Sequence, residues 1–153
     1  MALKIGDKIP NISIPDETGE LFALNKFSGK QALVVYFYPK NFTPGCTKEA
    51  CEFRDKYEEF KAMDAEVIGI SSDSEASHKR FKSKYQLPFI FLSDIEKKAR
   101  NAFGVKPALL GLLPGRETFV FDKKGELIMQ YNNFNAASHT TKAIKKIKMQ
   151  KDE

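Results

Sequence analysis

The chain has 153 residues, 42% of them hydrophobic, with thirteen phenylalanines, no tryptophan and a formal net charge of +5. That size suits one globular domain spanning residues 1–153 around a single core, and the composition excludes disordered and fibrous classes. No run approaches about 18 uninterrupted apolar residues, and the Met1-Ala2-Leu3-Lys4 start carries no apolar signal core, so a reducing, cytoplasmic setting is expected.

In chain order, short apolar pieces at 12–14 and 21–24 flank the turn-like Pro15-Asp16-Glu17-Thr18-Gly19 and predict an N-terminal β-hairpin. Phe27-Ser28-Gly29-Lys30 then turns the chain into residues 32–38. That run is too short for a buried helix and rich in β-branched and aromatic residues, so it reads as a buried strand. Next comes Pro39-Lys40-Asn41-Phe42-Thr43-Pro44-Gly45-Cys46-Thr47-Lys48-Glu49-Ala50-Cys51, which holds both cysteines of the chain. Thr43 suits an N-cap and Pro44 the first helical position. Ala50, Phe53, Tyr57 and Phe60 recur at spacings of three and four, which predicts one helix ending near Met63 with Cys46 on its inward stripe.

Unpaired N–H groups and the helix dipole favour an anion at a helix start, so Cys46 is placed to be a thiolate, and Glu49 to be a favourable first-turn carboxylate. Cys51 lies about 140° around an ideal helix from Cys46 and about 7.5 Å further along, a Cα separation of roughly 8.7 Å. A disulfide needs less than about 7 Å, so bonding the two would require the first turns to unwind. Spacing alone leaves Cys51 open between a reactive and an inert thiol.

Residues 66–71 and 89–92 predict strands, and 74–85 and 95–103 predict helices, an alternation that implies a parallel sheet core with right-handed crossovers. The Leu-, Gly- and Pro-rich loop at 106–115 is the one irregular segment long enough to suspect of function. Residues 117–121 and 126–131 flank Asp122-Lys123-Lys124-Gly125 and predict a second hairpin. Five lysines between Lys142 and Lys151 interleave with Ala143, Ile144 and Ile147, which describes a terminal helix with one docked and one solvated face. The basic charge therefore needs no nucleic-acid or membrane partner. The expected fold class is α/β, a mixed central sheet with helices on both faces and an N-terminal hairpin.

Two cysteines in a reducing compartment point to redox catalysis rather than a structural staple, and they are too few to hold a metal. His78 and His139 lie far off without metal-site spacing. His78, three residues before Phe81, reads as a packing residue, and Arg116 by itself reads as a surface charge.

Pro39-x-x-x-Thr43-x-x-Cys46 resembles the active-site motif of the peroxiredoxins, and the second cysteine in Cys46-Thr47-Lys48-Glu49-Ala50-Cys51 is similar to the peroxiredoxin Q branch, also called bacterioferritin comigratory protein. The resemblance continues through Ser71-Ser72-Asp73-Ser74, Lys84-Tyr85-x-Leu87-Pro88-Phe89, Leu113-Pro114-Gly115-Arg116-Glu117-Thr118-Phe119-Val120 and Tyr131-Asn132-Asn133. It implies a thioredoxin-like fold that reduces hydrogen peroxide and organic hydroperoxides at the expense of thioredoxin, with no bound cofactor, and it suggests a monomer. By matching position it makes Cys46 the peroxidatic and Cys51 the resolving cysteine, joined as a disulfide during turnover. Pro39, Thr43 and Arg116 would complete the peroxide pocket, and Glu49 would orient the arginine.

The chemistry has need of such residues. An ordinary thiol with a pKa of about 8.5 is about 3% ionised at pH 7, and lowering the pKa to about 6 raises that only some 30-fold. Enzymatic acceleration is typically about 10⁶-fold or more, so most of it must come from positioned donors that grip the peroxide oxygens. Two other readings are defined by what they require. A thioredoxin-type disulfide reductase should carry Cys-x-x-Cys, where this chain has four residues between its cysteines. A non-enzymatic basic binding protein would have no use for Cys46.

Overall fold

The strand β3 (Ala32–Phe37) is buried at all six positions. It occupies the centre of a five-stranded sheet of order β5-β4-β3-β6-β7, and both of its faces are covered. This is why its sequence is continuously apolar where a half-exposed strand would alternate. Val34 and Tyr36 enter the core on one side of the sheet, and Leu33, Val35 and Phe37 enter the core on the other. The computed structural model describes residues 3–106, 115–133 and 136–151.

β4 (Ala65–Ser71) pairs parallel with β3, and β5 (Ile90–Ser93) pairs parallel with β4. On the other side β6 (Glu117–Phe121) pairs antiparallel with β3, and β7 (Leu127–Asn132) antiparallel with β6. The N-terminal hairpin is a separate two-stranded sheet of β1 (Ser13–Pro15) and β2 (Leu21–Ala23). The mixed sheet and both hairpins thus stand where the sequence pattern puts them.

The helices α1 (Pro44–Asp55), α2 (Tyr57–Ala62), α3 (Glu75–Tyr85) and α5 (His139–Lys151) contribute Phe53, Phe60, Phe81 and Ile147 to one core. α4 (Lys98–Phe103) contributes Ala99 and Phe103 to the other, together with Ile14, Phe22 and Leu24 from the N-terminal region. Tyr36 of β3 stacks on Phe53 of α1 at a centroid distance of 4.5 Å. Burying a ring of that size contributes about 2–3 kcal/mol, so this contact ties the last turn of α1 to the central strand.

Three expectations need correction in detail. The helix expected to run unbroken to Met63 is interrupted at Lys56, whose φ of −104° and ψ of 5° are not helical. The interruption is slight, because Lys56 N–H still donates to Glu52 and its carbonyl accepts from Phe60. α4 starts at Lys98 rather than Ile95: both oxygens of the Asp94 carboxylate accept N–H bonds from Ala99 and Arg100, Lys97 takes a left-handed φ of 62°, and Ile95 is left exposed. Of the suspected loop at 106–115, residues 107–114 lie outside the described residues. Its two described ends touch, for a Cβ on Gly115 would sit 1.9 Å from the Lys106 carbonyl oxygen, an approach that no larger residue permits.

Ala143, Ile144 and Ile147 of α5 are buried, and Lys142, Lys145 and Lys148 are exposed, which is the docked and solvated helix expected. Among the described residues no helix is long and apolar enough to cross a membrane.

Candidate active site

In open α/β sheets, ligand sites form outside the carboxyl ends of the parallel strands, and both cysteines sit on the helix that follows the end of β3. The turn between β3 and α1 is fixed by side chains. Asn41 is buried; its amide oxygen accepts from the Tyr38 hydroxyl at 2.6 Å, and its amide nitrogen donates to Ser77 Oγ at 3.2 Å and to His78 Nδ1 at 3.0 Å. Asn41 N–H donates to Asp73 Oδ2 at 2.9 Å. These bonds clamp the turn to α3 and the end of β4, and they hold Phe42 at a left-handed φ of 68°, a costly conformation for a residue with a Cβ. The ring of Phe42 packs on Phe81 at a centroid distance of 5.2 Å.

Thr43 occupies the N-cap position of α1 and Pro44 the first helical one. The expected side-chain cap is absent, because the Thr43 hydroxyl turns back to donate to the Lys40 carbonyl at 2.8 Å. The first closing bond of the helix runs from Thr47 N–H to Thr43 O at 2.9 Å, so the N–H groups before Thr47 have no intrahelical acceptor and remain available to an anion.

Cys46 is 1% exposed. Arg116 Nη2 donates to its sulfur at 3.3 Å, and Nη1 of the same guanidinium donates to Glu49 Oε1. Arg116 and Glu49 are buried, so the surface-charge reading of Arg116 is replaced by a buried three-group cluster of cysteine, arginine and glutamate. Gly45 makes room for it. A Cβ there would lie 3.2 Å from Arg116 Nη2.

Burial pushes the Glu49 carboxyl up to about 8 against the opposing pull of Arg116. Burial also works against the charged guanidinium, but Glu49 and Cys46 outweigh it and raise Arg116 above its ordinary value. Glu49 Oε2 has no hydrogen-bond partner among the described residues and faces His139 Nδ1 at 3.6 Å. That nitrogen lies 2.7 Å from Thr118 Oγ1, and His139 Nε2 lies 2.7 Å from the Asn133 carbonyl oxygen.

The structure therefore brings Cys46, Glu49 and Arg116 into direct contact, with Thr43 one turn away at the helix start. Pro39, just past the end of β3, is half-buried. Cys51 is half-buried on the same uninterrupted α1, and both cysteines are free thiols. His78 is buried, as a packing residue should be, but it is also bonded into the turn. Sequence reasoning missed Asn41, Thr118 and His139. The first could have been suspected from its place beside the cysteine motif, whereas nothing local connects Thr118 or His139 with a helix that ends more than about 60 residues earlier.

An anion at the sulfur would be balanced by a guanidinium and helix N–H groups in a water-poor site, an arrangement suited to nucleophilic attack by a thiolate.

A family model for the AhpC/TSA family matches residues 5–130. Peroxiredoxin Q, chloroplastic, from Oryza sativa subsp. japonica is 52% identical over 141 residues, which cover 92% of this chain and 64% of that protein. The chain thus spans less than two thirds of that relative's length. Among solved structures, peroxidoxin BcpB from Mycobacterium tuberculosis is 35% identical with a TM-score of 0.87, covering 96% of this chain and 97% of that one. The bacterioferritin comigratory protein of Xanthomonas campestris, for which trapped intermediate and ligand complexes give insight into alkyl peroxide reduction activity, is 27% identical with a TM-score of 0.85 over 96% and 99% of the two chains. The fold is the thioredoxin-like one that these peroxiredoxin structures share.

Proposed function

The chain belongs to the AhpC/TSA family, on its peroxiredoxin Q branch, and on that premise we propose that it is a thiol peroxidase acting on hydrogen peroxide and organic hydroperoxides through Cys46. The observation that carries this reading is the 3.3 Å contact of Arg116 Nη2 with Cys46 Sγ in a buried site at a helix start.

In this reading the Cys46 thiolate attacks one peroxide oxygen. An S–O bond forms as the O–O bond breaks, the sulfur becomes a sulfenic acid, and the departing oxygen takes a proton to leave as water or an alcohol. Arg116 and the free N–H groups of α1 stabilise the charge as it passes from sulfur to oxygen. Thr43 orients the peroxide proton once its hydroxyl is turned from the Lys40 carbonyl, Pro39 shields the thiolate from water, and Glu49 orients the guanidinium.

Cys51 then attacks the Cys46 sulfur, expelling water and forming an intramolecular disulfide. A dithiol protein, thioredoxin, returns two electrons and two protons to regenerate both thiols. Because intact α1 keeps Cys46 buried and Cys51 half-exposed, the first turns must unwind before capture, and over-oxidation of Cys46 competes with that step. The protein works as a monomer in a reducing compartment, the cytoplasm, where the disulfide is continually reopened. Gel filtration and cell fractionation test those two points.

Thioredoxin-coupled peroxide consumption by the wild type, Cys46→Ser and Cys51→Ser tests the chemistry. Cys46→Ser should be inactive, and Cys51→Ser should perform one turnover and accumulate sulfenic acid. Full steady-state activity in Cys46→Ser would refute the assignment.

A further inference from the structure

Behind the arginine lies a buried pair, of which Glu49 enters the steps above only by orienting the guanidinium and His139 not at all. Glu49 and His139 are both 0% exposed, and among the described residues Oε2 of Glu49 is without a hydrogen bond although only 3.6 Å from His139 Nδ1. The tautomer of His139 follows from its partners. Nε2 faces the Asn133 carbonyl, which can only accept, so Nε2 carries the proton, and the single lone pair of Nδ1 has the Thr118 hydroxyl at 2.7 Å and Glu49 Oε2 at 3.6 Å, accepting from one of them at a time. A lone pair aimed at a carboxylate oxygen gives nothing to an ionised Glu49, but it can accept from a protonated one.

Charge counting gives that nitrogen a purpose. With Glu49 protonated and His139 neutral, an ionised Cys46 and Arg116 leave the buried site with no net charge. Were Glu49 ionised as well, two anions would stand against one cation in a buried place, which is costly. We propose that His139 is a positioning residue for the reaction of Cys46, setting an unprotonated ring nitrogen against Glu49 Oε2 so that Glu49 keeps its proton and the charge of Arg116 is left to the Cys46 thiolate.

The proton count closes. The pair holds its proton while the thiolate waits, so Arg116 does not share its charge with a second anion, and the pair gives up that proton when the departing alkoxide or hydroxide needs one. Burial supports this direction for both partners, raising the Glu49 carboxyl and holding the His139 imidazole down to about 4.

The other charges around the pair do not supply the same service. Glu52 on α1 is a second carboxylate acting on Glu49 and favours its protonation. Tyr36 of β3 is raised well above its ordinary value by burial and stays neutral. Tyr131 of β7 lays its ring against His139 at a centroid distance of 4.8 Å, with Lys142 over that ring at 5.1 Å.

The proposal rests on the peroxidase reading and is tested through the pH dependence of Cys46 oxidation by hydrogen peroxide, in the wild type and in His139→Gln with and without Glu49→Gln. The glutamine amide can still donate to Asn133 O but offers no titratable nitrogen. The midpoint of the pH–rate profile should move by about half a pH unit or more in His139→Gln, roughly a threefold change in rate on that limb, and the shift should vanish in the Glu49→Gln background. An unchanged profile, or an equal shift when Glu49 is already neutral, would overturn the proposal. If His139→Gln does not fold, the imidazole nitrogen resonances of wild type and Glu49→Gln decide instead. A pH step at Nδ1 that is lost in Glu49→Gln supports the pair, and its persistence there sinks it. A wild type that consumes no peroxide through Cys46 would defeat the underlying reading rather than this one.

Discussion

Arg116 and Cys46 stand 70 residues apart in the chain and meet at 3.3 Å through Nη2 and Sγ, while Nη1 of the same guanidinium is taken by Glu49. The fork geometry matters as much as the charge, because a lysine ammonium cannot serve both partners from one fixed plane. Arg116→Lys should therefore lower the rate constant for Cys46 oxidation by about 10²–10³-fold, the usual cost of losing one positioned donor, despite its retained charge. Peroxide consumption under single-turnover conditions measures it. Retention of more than a third of the wild-type rate would mean that charge alone suffices.

Gly45→Ala should separate stability from activity. A methyl at this position meets Arg116 Nη2 at 3.2 Å, so the guanidinium must move by a few tenths of an ångström from the sulfur. Replacing a helical glycine by alanine otherwise stabilises by up to about 1 kcal/mol. The expected variant melts at or above the wild-type temperature yet oxidises several-fold to about tenfold more slowly. Equal activity would show that the arginine has slack.

The fold was legible because its signals are local. Residues 32–38 advertise a doubly covered strand by being apolar throughout, and Ser74 announces α3, where its hydroxyl indeed accepts from Ser77 N–H. The start of α1 and the burial of Cys46 followed from Thr43, Pro44 and the stripe through Ala50. Thr43 also shows the limit, since its identity placed the helix boundary but not the destination of its hydroxyl, which the path of the preceding turn decides. His139 was beyond reach for a different reason. Its partners come from α1, β6 and the segment after β7, and no spacing within the chain encodes that three elements converge.

Asn41→Ala should loosen the site from outside it. The change leaves the Tyr38 hydroxyl, Ser77 and His78 Nδ1 without the amide that joins them in a buried place. Stranded buried polar groups cost about 1–3 kcal/mol, and Phe42 would lose part of what holds it at positive φ. A loss of about 2 kcal/mol in urea denaturation is expected, with slower Cys46 oxidation because the start of α1 hangs from this turn. A variant of wild-type stability would show that Asp73 and the Phe42 ring hold the turn unaided.

The pH dependence of stability carries a signature of the Glu49–His139 pair. His139 titrates near 6.5 when unfolded and about 4 when folded, so the unfolded state binds the extra proton; its contribution is complete above 6.5 and is lost as pH falls through 4. Glu49 runs oppositely. Its carboxyl, near 4.5 when unfolded and about 8 when folded, favours the native state at low pH and loses that contribution as pH rises through 8. Between about 4.5 and 6.5 the two slopes, each up to about 1.4 kcal/mol per pH unit, cancel in the wild type. His139→Gln removes one of them. Its stability relative to the wild type should therefore decline as pH rises across that window, by about 2 kcal/mol in all. Urea titrations followed by circular dichroism at several pH values measure the difference, since the chain has no tryptophan to report by fluorescence. Parallel curves for the two proteins would mean that His139 titrates alike in the folded and unfolded states, and its neutrality beside Glu49 would have to be given up.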